Sequence, residues 1–206
     1  MIKSRFNTER ISIKTGIIFS RFGISPNTWT VMGLIPAILG FIILAIYQDL
    51  LVSLLFFILS GVIDAIDGAV ARVTRSISAQ GAFLDGIIDR YVEILLYMGL
   101  LFFLFSREEF LLPNSFWISL LIFGALMPTY IRSYAHHRGV VIDSEDLRRM
   151  GGLLERAERL TLIYIGMFLG LFEEIWLVYV IAIASILANI TALQRLWFVI
   201  NYGKRI

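Results

Sequence analysis

Apolar residues fall along this chain in six long runs, at about 28–47, 50–72, 80–106, 115–137, 154–172 and 175–199, separated by short polar stretches. Each run is near the roughly 20 residues that a helix needs to cross the hydrocarbon of a bilayer. A spanning barrel would instead show short alternating segments. Within a bilayer core the backbone must satisfy its own polar groups, so runs of this length predict helices. Ahead of them, residues 3–22 interleave Lys3, Arg5, Arg10, Lys14 and Arg21 with Ile11, Ile13, Ile17, Ile18, Phe19 and Phe22. That mixture predicts an amphipathic helix lying on the membrane surface, and Gly23 and Pro26 mark its end. The expectation is an all-α integral membrane protein: an N-terminal amphipathic interfacial helix, then six transmembrane helices, in a single membrane domain over residues 1–206.

Composition agrees with lipid as the main solvent. Of the 206 residues, 58% are hydrophobic and the mean hydropathy is +0.82, well above what a soluble domain of this size carries. The absence of cysteine removes disulfides and thiolate metal sites from consideration, so a bound metal has to use oxygen or the two histidines. The basic, interrupted first twenty residues do not read as a secretory signal.

Charge is distributed by side. The connections around Gln48 and Asp49, around Arg107, Glu108 and Glu109, and around Glu173 and Glu174 are neutral or acidic. Arg72, Arg75, Arg138, Arg148, Arg149, Arg156 and Arg159 fall on the other connections. Because Lys and Arg gather on cytoplasmic loops, both termini and the second and fourth connections are expected in the cytoplasm, in a multi-pass protein of the cell membrane.

The chemistry is carried by acidic residues at membrane depth. Asp64 and Asp67 are three apart near the end of the second run, and Asp85 and Asp89 are four apart near the start of the third. Each pair therefore projects from one face of its helix. A carboxylate at mid-helix costs roughly 2.5–3.5 kcal/mol on insertion scales, and like charges in close proximity oppose each other's ionisation. Cations are the natural compensation, and hard divalent ions with oxygen ligands suit four carboxylates: Mg²⁺ first, then Mn²⁺ or Ca²⁺, with two ions fitting four shared ligands better than one. Gly68 and Ala71 leave the backbone open beside the aspartates, as approach of a bulky ligand requires. Gly81, one turn before Asp85, thins the third helix. Separate salt bridges to Arg72, Arg75 and Arg90 are the alternative, which does not account for the spacing.

The string Asp64-x2-Asp67-Gly68-x2-Ala71-Arg72-x8-Gly81-x3-Asp85-x3-Asp89 resembles, in all eight fixed places, the signature of the CDP-alcohol phosphotransferase family. The resemblance extends to the Ser25-Pro26-Asn27-Thr28 entry of the first run and the six-helix layout. It implies that Asp64, Asp67 and Asp85 hold two divalent cations, with Asp89 as a further ligand and the general base on the acceptor hydroxyl. It also implies a CDP-alcohol site made of Asn27, Thr30, Asp64, Asp67, Gly68, Ala71, Arg72, Ser78 and Gly81. The cations would neutralise the pyrophosphate and stabilise CMP as it leaves.

A second, basic cluster follows: Arg132, His136, His137 and Arg138, then Gly152-x2-Glu155-Arg156-x-Glu158-Arg159, and Arg195. Arginines between helices suit a phosphate, since the guanidinium offers several fixed donors. Arg132 and Arg195 lie within apolar helix, where a charge marks function, whereas Arg148 and Arg149 read as ordinary anchoring on the cytoplasmic side. The Gly-x2-Glu-Arg-x-Glu-Arg string is similar to the branch of the family that takes inositol phosphate, the phosphatidylinositol-phosphate and archaetidylinositol-phosphate synthases. That resemblance implies an inositol phosphate acceptor, gripped through its phosphate by Arg132, Arg138, Arg156 and Arg195, and a CDP-lipid donor. CDP-inositol as donor and glycerol phosphate as acceptor stay open, as does, from another class, a cation or proton transporter. The expected partners are membrane lipid and a second copy of the chain, with Tyr91, Phe102, Phe103 and Phe105 placed either to contact that copy or to face lipid, and no nucleic acid.

Overall fold

Small residues on facing helices decide how the first half of the chain packs. The computed structural model describes residues 2–202, with side chains from Arg10 onward apart from those of Ile11 and Ser144. Its helices are α1 (Ile2–Ser20), α2 (Pro26–Ile42, continued by a π-turn at Ile43–Tyr47), α3 (Leu50–Val73), α4 (Ala79–Leu104), α5 (Asn114–His137), α6 (Ser144–Arg149), α7 (Arg156–Leu169) and α8 (Glu174–Tyr202). No strand occurs among the described residues. All six predicted runs are helical, α1 covers most of the predicted leading segment, and α6 is a short helix inside what the sequence presents as a connection.

Among the described residues, four helices are long and apolar enough to cross a membrane: Pro26–Tyr47, Leu50–Val73, Asn114–His137 and Glu174–Tyr202. Their outward positions carry large apolar side chains, among them Ile35, Leu55, Leu59, Phe123 and Ile183, which marks a multi-pass membrane protein. The third and fifth runs are different. α4 carries Asp85, Asp89, Arg90 and Glu93 between its first turns and its middle, and α7 has 14 helical residues, so the fifth run is shorter as a helix than its apolar extent predicts.

The chain divides into two compact units, Met1–Phe102 and Phe103–Ile206. In the first, α2 and α3 run antiparallel along a seam of small residues. Ser53 Oγ donates to Gly40 O at 2.9 Å and Ser60 Oγ to Gly33 O at 2.8 Å, a seven-residue step on both helices. A Cβ on Gly40 would stand 3.1 Å from the Phe57 ring, so the close approach depends on glycine there. Ser25 caps α2, accepting from Thr28 N at 3.2 Å with Pro26 in the first turn. Asp49 caps α3 by accepting from Val52 N at 2.9 Å. α1 packs on α3 through Gly16, where a Cβ would run into Ala69 O and Val73. Ile13, Ile17 and Ile18 of α1 are exposed, while the side chains of Lys3, Arg5 and Ile11 lie outside the described residues.

In the second unit α8 is the axis, packed by α5 and α7. Asn189 of α8 donates to Leu120 O of α5 at 2.9 Å, and Gly166 of α7 seats against Val180 and Leu177 of α8. Ile118, Leu121, Ile163, Met167, Leu177, Ile181 and Ala184 form the buried interior. Asn114 Nδ2 ties the start of α5 to Leu104 O and Glu108 O, both at 3.0 Å. Of the aromatic residues expected to face a second copy or lipid, Phe103 is corrected: it is buried, with the Arg107 guanidinium 3.8 Å from its ring centre. Tyr91, Phe102 and Phe105 are exposed.

Candidate active site

The site of the first unit is made by three helix ends. α3 brings Asp64 and Asp67 on one face, three residues apart, and α4 brings Asp85. Carboxylate oxygens of these three residues all lie within 4.8 Å of one another. Asp67 is buried and its Oδ2 meets no hydrogen-bond donor. A buried, undonated carboxylate oxygen beside two further carboxylates is costly unless a cation sits among them. The all-oxygen donor set is that of a hard divalent ion, so the residues fit a metal. Asp89 lies one turn beyond Asp85 on α4, half-buried, and is not one of the three.

Beside the aspartates opens a cavity of about 210 Å³. Eight of the residues read from the sequence as donor-binding line it: Asn27, Thr30, Asp67, Gly68, Ala71, Arg72, Ser78 and Gly81. Asp64 stands in the carboxylate group instead. Asp85 lines the cavity as well, so the carboxylate group and the cavity share two residues. Pro26, Ser76, Ile77 and Ala82 complete the wall and were not legible as site residues.

Local structure explains each wall. Thr30 donates its hydroxyl to Pro26 O at 3.1 Å, which holds the entry turn of α2. α3 ends with Arg75 at φ 54° and Ser76 N donating back to Ala71 O at 3.1 Å. A non-glycine residue in that left-handed conformation is strained by roughly 1 kcal/mol, and the turn it makes carries Ser76 to Ser78 across the cavity mouth. Ser78 then starts α4, its Oγ accepting from Gly81 N at 3.0 Å. A Cβ on Gly81 would sit 3.1 Å from both Asn27 Oδ1 and Ser78 Oγ, so this glycine keeps α2 and α4 close. Arg72 folds back so that its Nη1 is 3.4 Å from where a Cβ on Gly68 would stand.

The second unit gathers the basic residues only in part. Arg195 is 8% exposed, donates from Nη1 to Pro128 O at 2.9 Å, and donates from Nη2 to Glu155 Oε1 at 3.0 Å. Gln194 and Thr191 accept from Leu153 N and Leu154 N, both at 2.9 Å, so α8 holds the segment before α7, and Arg156 begins α7. Arg132 is exposed on α5, one turn beyond Pro128, and Arg138 caps the end of α5. His136 and His137 are exposed. The role of Glu155 as partner of Arg195 was not legible; the one local signal is Glu158 three residues on, whose Oε2 accepts from Glu155 N at 3.0 Å in a capping box.

Residues 23–200 match the family model described as CDP-alcohol phosphatidyltransferase. The chain is 29% identical over 185 residues to the archaetidylinositol phosphate synthase of Pyrococcus horikoshii, covering 89% of this chain and 88% of that one. It is 31% identical over 186 residues to the phosphatidylinositol phosphate synthase of Mycolicibacterium smegmatis, covering 85% and 77%. Its fold is that of the Mycobacterium tuberculosis phosphatidylinositol phosphate synthase, with a TM-score of 0.79 at 24% identity over 91% of this chain and 88% of that one, in a structure holding manganese and citrate. A second structure of that protein has CDP-DAG bound.

Proposed function

This chain belongs to the CDP-alcohol phosphatidyltransferase family, and from that premise we propose that it transfers a phosphatidyl-type group from a CDP-lipid to a hydroxyl of inositol phosphate, releasing CMP. The observation that carries the reading is the opening of the Asp67 and Asp85 carboxylates onto a cavity lined by the glycine and arginine of the same signature. Asn27, Thr30, Gly68, Ala71, Arg72, Ser78 and Gly81 bind the cytidine diphosphate, with Arg72 on the pyrophosphate, where a guanidinium meets phosphate oxygens in a fixed fork. Asp64, Asp67 and Asp85 hold the divalent cations, Mg²⁺ in preference to Mn²⁺, with Asp89 as a further ligand. When bound, these ions supply charge neutralisation for the pyrophosphate and for the departing CMP.

Asp89 accepts the proton of the acceptor hydroxyl. That oxygen attacks the phosphorus bearing the lipid alcohol, the pyrophosphate P–O bond breaks, and its electron pair leaves with CMP. Arg132, Arg138, Arg156 and Arg195 take the acceptor phosphate. In the same reading the chain is one membrane domain, α4 and α7 are the other two of six transmembrane helices, α1 lies on the membrane surface, both termini are cytoplasmic, and two copies associate.

The test is turnover of purified protein in liposomes with Mg²⁺, CDP-diacylglycerol and radiolabelled inositol phosphate or glycerol phosphate, beside Asp89→Asn. CMP release with label entering lipid from inositol phosphate, lost in the variant, supports the reading. Turnover with glycerol phosphate alone replaces the acceptor, and turnover only with CDP-inositol replaces the donor.

A further inference from the structure

Arg72 is held from outside the signature. Its Nη2 donates to Ser12 Oγ of α1 at 2.7 Å, sixty residues earlier in the chain. Two further observations show that this pairing follows from the seating of α1 on α3. Gly16, one turn after Ser12 on α1, lies where a Cβ would strike Ala69 O and come within 2.6 Å of Val73 Cγ2, so the backbones touch there. Ala69, Arg72 and Val73 share one face of α3, as Ser12 and Gly16 share one face of α1. The contact at Gly16 therefore fixes the register that brings the hydroxyl of Ser12 to the guanidinium. On its other side that guanidinium lies over the bare backbone of Gly68.

We infer that Ser12 is a positioning residue for the donor: it orders Arg72 over Gly68 before the CDP-alcohol arrives, and so sets donor affinity. The inference rests on the reading of Arg72 as a donor-binding group. A guanidinium carries five N–H donors, and Ser12, which is not among the residues lining the cavity, engages one of its nitrogens. Fixing this side chain in advance removes from binding the cost of ordering one long side chain. Since the same arginine is engaged in substrate and in transition state, its loss of order raises KM and leaves kcat unchanged.

The experiment is steady-state kinetics on the full chain in mixed micelles with CDP-diacylglycerol, for Ser12→Ala, Ser12→Thr, Ser20→Ala and Arg72→Ala, with Ser12→Ala also made on the Arg72→Ala background. Ser20 is on the same helix and its hydroxyl serves Ile17 O at 3.0 Å, so Ser20→Ala is the control for helix α1. The expected result is a donor KM raised roughly three- to tenfold in Ser12→Ala, recovery in Ser12→Thr, no change in Ser20→Ala, a larger rise in Arg72→Ala, and no added effect in the double variant. A purely structural role for Ser12 would lower the active fraction and kcat without moving donor KM, and that outcome overturns the inference. A raised KM in Arg72→Ala with none in Ser12→Ala overturns the inference alone. An unchanged KM in Arg72→Ala overturns the reading of Arg72 and the inference with it.

Discussion

Replacing Asp67 by asparagine should move stability and activity in opposite directions. The carboxylates of Asp64, Asp67 and Asp85 approach within 4.8 Å. At that distance two like charges repel by about 3.5 kcal/mol at an effective dielectric constant of 20, and Asp67 takes part in two such pairs. Water in the adjoining cavity screens much of this, leaving roughly 2 kcal/mol of repulsion that the metal-free protein carries because of Asp67. The Asp67→Asn amide removes the charge, and with it Asp67's share of that repulsion. In EDTA the variant is therefore expected to melt above the parent, by roughly 4–8 °C for a chain of this length. Adding Mg²⁺ at a hundred times its dissociation constant stabilises the parent by about 2.7 kcal/mol and does little for the variant. Turnover falls roughly a thousandfold, the several kcal/mol that the metal contributes to the transition state. The assay is a thermal ramp in detergent followed by tryptophan fluorescence, with and without Mg²⁺, beside CMP release. A variant less stable than the parent in EDTA refutes the repulsion argument, and a Mg²⁺ shift of the parent's size refutes Asp67 as a ligand.

Glycine to alanine should change sign with position: Gly61→Ala, where a Cβ meets nothing within 4 Å, stabilises by about 0.5–1 kcal/mol, whereas Gly124→Ala, 2.6 Å from Asn189 Nδ2 and 2.9 Å from Ala188 Cβ, loses about 1 kcal/mol net because overpacking outweighs propensity; thermal unfolding reads both. Ser53→Ala and Ser60→Ala each cost about 0.6 kcal/mol, and the double variant costs the sum because the two hydroxyls are about 10 Å apart along α3, again by thermal unfolding. Arg195→Lys cannot keep both Pro128 O and Glu155 in one fork, and is expected to lose about 2 kcal/mol, or thirtyfold in acceptor KM, with donor KM unchanged. Single cysteines introduced into this cysteine-free chain at Arg75 and Ser106 should react with membrane-impermeant maleimide from opposite sides of sealed vesicles, and labelling of both from one side would remove α4 as a span.

What was legible at the site follows from how directly each residue's position depends on local geometry. Asp64, Asp67 and Asp85 could be placed because helical spacing puts them on known faces and a five-residue turn leaves α3 and α4 little freedom. Gly68, Ala71, Arg72 and Gly81 came with them. Ser76, Ile77 and Ala82 reach the cavity through Arg75 in a left-handed conformation, and arginine gives no hint of a turn that usually takes glycine. Contacts between distant segments were out of reach for a different reason. Ser12 meets Arg72 across sixty residues, and Glu155 meets Arg195 across forty, and each pairing is set by how two helices seat on one another.

The third run shows why a count of charges along a helix misleads where its two sides differ. α4 is set apart from the four candidate spans by its charges, none of which is fully exposed: Asp85, Asp89 and Arg90 are half-buried and Glu93 is buried. Glu93 is 2% exposed and accepts from Arg90 at 2.6 Å and from Tyr97 Oη at 2.7 Å, so the carboxylate is satisfied by donors on its own helix. The outward positions Phe83, Ile87, Tyr91 and Phe102 are apolar and exposed. A helix of 26 residues with that division has what a span requires, an apolar face for hydrocarbon and ionisable groups kept off it. The helix is no less apolar on average than α5, which is apolar enough to span; what sets it apart is the number of its charges, taken without regard to face. The charges that set α4 apart are Asp85 and Asp89 of the signature and the paired Arg90 and Glu93 beside them, so the charge of α4 and the placement of the candidate site have the same cause.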